Sequence, residues 1–153
     1  NHSETSKRDD IVFITGRFRS GSSVFWNVFR AQKKCTAYYE PFNERRWFDT
    51  KLRGDFVDKS HKGVKDYWAE YDNLPELANF YDEEWIRKSL HMDKFSYNPS
   101  MKNFIDILVK KANGRPVITT APCRALSPSV INSARVNRPI NEAQNMRIQP
   151  GAS

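Results

Sequence analysis

The sequence predicts an α/β fold, a parallel sheet flanked by helices, and three observations lead there. Residues 11–15 are a short continuous apolar run closed by Gly16, the pattern of a strand buried on both faces. Residues 23–31 follow with Val24, Phe25, Val28 and Phe29 at helical spacing. A second such helix, with Met101, Phe104, Ile105, Leu108 and Val109 on one stripe, runs directly into a second buried run at residues 116–120.

Local chemistry accounts for the elements in turn. Residues 35–39 return as a strand, so the first forty residues read as a βαβ unit. Asn98-Pro99-Ser100 supplies a cap and a first-turn proline for the later helix, and Asn113-Gly114 supplies its stop. Between these parts, residues 43–97 are polar and aromatic, with a helix expected around 82–90, and read as an insertion or lid. The sheet is expected to be incomplete at its C-terminal end, because all twenty aromatics lie between Phe13 and Phe104 and none in the last 49 residues. Residues 1–10 read as a flexible segment, 11–120 as the folded domain and 121–153 as a loosely structured tail.

A chain of 153 residues suits one domain, and 39% hydrophobic with 13% aromatic content argues against a disordered polymer. The net charge of +7 suits a phosphate, a sulfate, a nucleic acid or an anionic surface. Much of that charge sits after Gly114, where five arginines face the single acidic Glu142, so no nucleic-acid partner is expected for the aromatic-rich body. Cys35 and Cys123 are far apart and in no CxxC pattern, which points to thiols rather than a disulfide framework or zinc cluster. His61 and His91 have no second ligand at metal-binding spacing, so no metal is expected. No run approaches the roughly 18 apolar residues of a membrane span, and the chain reads as soluble and cytoplasmic.

The chemistry is concentrated in the loop after the first strand, Gly16-Arg17-Phe18-Arg19-Ser20-Gly21-Ser22-Ser23. Glycines at its first and sixth positions let the backbone curve around an anion, so that successive amides and the helix N-terminus converge on it. Ser22 and Ser23 add hydroxyl donors, and Arg17 or Arg19 adds charge-assisted bonds. This is the setting of a P-loop NTPase-like sheet, but Ser22 stands where GxxxxGK[ST] requires lysine. The cation that bridges the β- and γ-phosphates beside magnesium is therefore missing from its usual place.

At these residues the chain resembles the sulfotransferase family, whose 5′-phosphosulfate loop has a basic residue followed by Ser-Gly-Thr/Ser-Thr/Ser, here Arg19-Ser20-Gly21-Ser22-Ser23. The arginine form is similar to carbohydrate-type and related bacterial members, and Glu40-Pro41 resembles a Glu-Pro element of that branch. The resemblance implies transfer of a sulfuryl group from 3′-phosphoadenylyl sulfate to a hydroxyl or amine of a small-molecule or carbohydrate acceptor, without a metal. It implies donor contacts from Arg17, Arg19, Ser20, Gly21, Ser22 and Ser23, with Arg19 neutralising charge on the bridging oxygen. Arginine is a fixed cation, so its role is electrostatic and a separate base is needed. Glu40 is the leading candidate, with Glu44 and His61 as runners-up.

Each assignment has a plainer rival. The loop also reads as an ordinary strand-to-helix turn, Arg17 as a solvated flank, and Glu40 as a turn cap or partner of Arg45 or Arg46. Trp47, Phe48, Trp68, Tyr71 and Trp85 read as core at least as readily as a sugar-stacking cleft. The family's second donor site, an Arg followed about eight residues later by Ser, has no good counterpart. Arg124 is followed too soon by Ser127 and Ser129, and Arg135 has no strand before it. The chain is therefore expected to leave the family's course between Thr120 and Ser127, through truncation, a shifted reading frame or a divergent end. Two alternatives to a sulfotransferase stay open: a nucleotide or small-molecule kinase with a degenerate loop, and a non-catalytic basic anion-binding module.

Overall fold

The computed structural model describes residues 8–16, 21–87 and 98–120. In chain order these form β1 (Val12–Thr15), α1 (Ser22–Arg30), β2 (Cys35–Tyr38), the 3-10 turns Ala69–Tyr71 and Pro75–Asn79, α2 (Glu84–Arg87), α3 (Pro99–Lys111) and β3 (Arg115–Thr120). The strands make one parallel sheet in the order β1-β3-β2, so the chain has α/β character.

The expected βαβ unit needs one correction. β1 and β2 are parallel and joined through α1, but they are not neighbours, because β3 lies between them. The reason is burial. β3 carries Val117 and Ile118 at zero exposure, whereas β1 is only half-buried, so the most deeply buried strand holds the centre although β1 is the longer unbroken apolar run. Val12 pairs with Val117 on one side and Cys35 with Arg115 on the other. This order differs from a Rossmann half, where the second strand lies beside the first, and from a flavodoxin-like sheet, where the first lies between the second and third.

α3 forms as its sequence dictates. The Asn98 side chain accepts from the Met101 amide at 2.9 Å, Pro99 opens the first turn and Lys110 and Lys111 close the last. Its buried stripe of Met101, Phe104, Ile105 and Leu108 packs on the core, where the Tyr38 hydroxyl donates to the Leu108 carbonyl at 2.8 Å. The stop at Gly114 is a close approach as well as a turn. With φ of 83°, Gly114 lies so near Lys34 that an added Cβ would fall 2.3 Å from its carbonyl oxygen. Arg8 reaches this turn too, donating to the Gly114 carbonyl while paired with Asp10 at 2.8 Å.

α1 is anchored by Trp26 rather than by the expected stripe. Trp26 is fully buried and donates to the Ala37 carbonyl of β2 at 2.8 Å, and Phe29 packs beside the core. Val24, Phe25 and Val28 are 67%, 60% and 55% exposed. Helical spacing identified the helix; the large aromatic, with its N–H needing a partner, chose the inward face. Arg30 lies over the Trp26 ring and bonds Asp66 at 2.5 Å and Glu70 at 2.6 Å, tying α1 to the segment after β2. Of the helix expected around residues 82–90, the described part is the single turn of α2. Before it, residues 43–83 are held chiefly by turns and aromatic packing, with Trp47, Tyr67, Tyr71 and Leu77 all buried.

Candidate functional site

The carboxyl ends of the three strands lie together, the edge at which open α/β sheets bind ligands. β1 ends at Thr15 beside Thr120, and Gly21 to Ser23 lead into α1 from there. Gly21 has φ of 83° and ψ of 13°, a left-handed conformation that glycine adopts without a Cβ penalty. Its carbonyl accepts from the Val24 and Phe25 amides, which starts the helix. The amides of Ser22 and Ser23 precede the first intrahelical bonds, leaving them among the donors every helix N-terminus presents.

Ser23 is tied across to β2, its hydroxyl lying 3.3 Å from that of Tyr39. Burial, reinforced by the charge of Glu40 and only partly offset by Ser23, pushes the Tyr39 phenol up to about 12. It is a neutral hydrogen-bonding group at neutral pH.

Glu40 follows Tyr39 with φ of 36°, a sparsely populated value for a non-glycine residue, directly before Pro41. The conformation is held from several sides. Its amide donates to the Thr119 hydroxyl at 3.2 Å, and that hydroxyl lies 3.3 Å from the Tyr38 carbonyl it donates to. The Glu40 carbonyl accepts from the Asn43 amide at 2.9 Å and from the Trp47 indole at 3.1 Å. Asn43 donates from its side chain to Glu40 Oε2 at 2.8 Å. Burial raises the Glu40 carboxyl above the ordinary glutamate value, against the lowering effects of Asn43, His61 and Tyr39. Arg45 and Arg46 are engaged elsewhere: Arg45 with the Arg53 and Phe56 carbonyls, and Arg46 with Glu83 at 2.5 Å.

One cleft of about 450 Å³ brings these parts together, within the range of small-molecule sites. Gly21, Ser22 and Ser23 form one side of it, Glu40 and His61 are also on its wall, and Tyr39, Trp47, Phe56 and Tyr67 supply aromatic surface. Arg45 lies over the Trp47 and Phe56 rings at 5.2 and 5.7 Å.

Of the residues singled out from the sequence, Gly21, Ser22, Ser23 and Glu40 therefore share one site, and His61 joins them. Glu44 is exposed and does not line the cleft. Arg17, Arg19 and Ser20, together with His91, Cys123, Arg124 and Arg135, lie outside the described residues. The aromatics divide: Tyr71 and Trp85 are core, while Trp47 is both buried and part of the cleft wall. Tyr39 and Tyr67 were not foreseen in the site. The only signal for Tyr39 was its place before Glu40, and nothing local marked Tyr67.

Among the described residues, no group of three or more His, Cys, Asp or Glu side chains is placed to hold a metal ion. No helix among them is long and apolar enough to cross a membrane. The chain matches no protein-family model, no curated protein and no solved structure.

Proposed function

We propose that this cleft is the site of a sulfotransferase, built on a P-loop NTPase-like sheet, that takes 3′-phosphoadenylyl sulfate as donor and a hydroxyl or amine, such as that of a carbohydrate, as acceptor. The observation that carries the reading is the meeting of Gly21, Ser22 and Ser23 with Glu40 in one cleft. It supports pairing an anion cradle with a proton acceptor, which the loop sequence alone does not supply.

The residues present fit the donor's inner phosphate. A left-handed glycine, two first-turn amides and two serine hydroxyls at the start of a nine-residue helix form an anion-binding terminus. When bound, 3′-phosphoadenylyl sulfate supplies the sulfuryl group. The chain's own part is positional and electrostatic. Ser22 and Ser23 hold the phosphate, the Arg19 charge balances the oxygen that leaves with the electron pair, and Glu40 takes the proton lost by the acceptor as its oxygen or nitrogen bonds sulfur. A carboxyl raised by burial suits that task better than an ordinary exposed one. The aromatic surface of Tyr39, Trp47 and Tyr67 offers the acceptor a flat, water-poor wall.

Isothermal calorimetry tests the reading. The full chain is expected to bind 3′,5′-adenosine bisphosphate without metal and in preference to ATP with magnesium, and Arg19→Ala is expected to weaken that binding at least tenfold, one charge-assisted bond being worth roughly 1.5–3 kcal/mol. Metal-dependent preference for ATP would instead select the kinase reading.

A further inference from the structure

His61 sits in the cleft with Glu40, and the two invite the same role as proton acceptor. The contacts on the other edge of its ring separate them. His61 Nδ1 lies 2.6 Å from the Tyr67 hydroxyl, and the same hydroxyl accepts from the Asp58 amide at 2.9 Å. A phenol has one proton to give. With the Asp58 N–H pointing at the oxygen, His61 Nδ1 is the acceptor placed for the Tyr67 proton among the described residues. A neutral imidazole whose Nδ1 accepts carries its own proton on Nε2. The loop makes this arrangement firm. The His61 amide donates to the Asp58 carbonyl at 2.9 Å, the Ser60 amide to Asp58 Oδ1 at 2.8 Å, and the Tyr67 ring is buried against Tyr39 with centroids 4.5 Å apart.

We infer that His61 is a fixed hydrogen-bond donor of the cleft, held as the Nε2–H tautomer by Tyr67, and that it binds sulfate-like oxygens instead of serving as the base. The tautomer stands on the geometry alone; the choice of ligand rests on the sulfotransferase reading. Division of labour follows. Glu40, an acceptor, takes the proton, and His61, a donor, grips the oxygens of the group being transferred, alongside the donors at the start of α1.

The test uses the full chain labelled with nitrogen-15 in histidine. Long-range proton–nitrogen correlation spectra report which ring nitrogen carries the proton, and loss of one signal set in His61→Gln separates His61 from His2 and His91. A protonated Nε2 and bare Nδ1 are expected; an Nδ1–H ring overturns the inference without any variant having to fold. Inorganic sulfate is then titrated, with and without 3′,5′-adenosine bisphosphate. Sulfate should shift the Nε2 signal, and His61→Ala should weaken sulfate about tenfold. His61→Gln, whose amide nitrogen takes the place of Nε2, should restore most of the loss, while His61→Asn, which mimics Nδ1, should not. Undiminished sulfate affinity in His61→Ala, or better rescue by Asn than by Gln, contradicts the donor role. If sulfate moves His61 but the bisphosphate does not bind, the sulfotransferase reading fails and the donor assignment stands.

Discussion

The Ser23 hydroxyl lies 3.3 Å from the Tyr39 hydroxyl, joining the first turn of α1 to the residue just past β2. This contact brings the glycine loop's last residues to the carboxylate at Glu40, across a sheet in which β1 and β2 are not neighbours. Tyr39→Phe removes it while keeping the ring stack on Tyr67. The expected result is a fold within about 1.5 kcal/mol of the parent, the worth of one neutral hydrogen bond, with weaker bisphosphate binding by calorimetry.

Two glycines make opposite predictions. At Gly21 an added Cβ meets nothing within 4 Å, so Gly21→Ala is penalised only by its φ of 83°, roughly 1–2 kcal/mol. At Gly114 the same atom falls 2.3 Å from the Lys34 oxygen and 2.7 Å from its carbon, both backbone. Gly114→Ala should therefore cost clearly more in urea unfolding, and only Gly21→Ala should leave a folded chain with impaired anion binding.

Glu40→Gln separates stability from chemistry. Burial raises the carboxyl in the folded state, so the folded form disfavours the charge more than the unfolded form does. The parent's contribution from this group is fully present below the unfolded value and is lost as pH rises through the folded one. The variant, uncharged throughout and still able to accept from Asn43, should be more stable than the parent near pH 7 and should lose that advantage below about pH 4, where the parent carboxyl is protonated. Sulfuryl transfer should fall by about 10² or more where the parent carboxyl is ionised, and the deficit should shrink as pH falls and that carboxyl takes up its proton.

Arg30 answers two carboxylates, and their responses differ. Burial alone would raise Asp66, but the Arg30 bond and charge with the Ala69 and Trp68 amides hold it below its ordinary value. Glu70 stays raised by burial despite Arg30, and its buried Oε2 has no hydrogen-bond partner among the described residues. Arg30→Ala leaves both carboxylates uncompensated and should cost about 2–4 kcal/mol at pH 7. A depressed Asp66 contributes stability above its unfolded value and loses it as pH falls, so the cost of the variant should shrink in unfolding curves taken at pH 3.

Trp26→Ala removes the buried ring that fixes α1 on β2 and its 2.8 Å bond to the Ala37 carbonyl. A loss of about 3–5 kcal/mol is expected, a large share of the roughly 5–15 kcal/mol of an ordinary domain, read as a lower urea midpoint by near-ultraviolet circular dichroism. Phe25→Gln, at a position 60% exposed, should change stability by less than about 0.5 kcal/mol.

Local signals carried much of this fold. The apolar runs at β1 and β3, the Asn98 cap and the positive φ required at Gly21 were all legible because each depends on neighbours in sequence. The order of the strands was not, since pairing β3 with both β1 and β2 is decided by comparative burial across 80 residues and more. Helical spacing likewise located α1 but pointed to Val24, Phe25 and Val28, which are exposed, because it carries no record of which face meets the sheet. In the site, the loop and Glu40 were marked by composition and by the Glu-Pro pair. Tyr67 was not, because its value lies in where its hydroxyl ends, between the Asp58 amide and His61.

Amide proton–nitrogen spectra of the full chain during addition of 3′,5′-adenosine bisphosphate bear most directly on whether the start of α1 and the end of β2 serve one ligand. Saturable shifts centred on Ser22, Ser23, Tyr39 and Glu40, larger than any elsewhere among the described residues, are the predicted result. Shifts confined to other surfaces, or none at millimolar ligand, would contradict it.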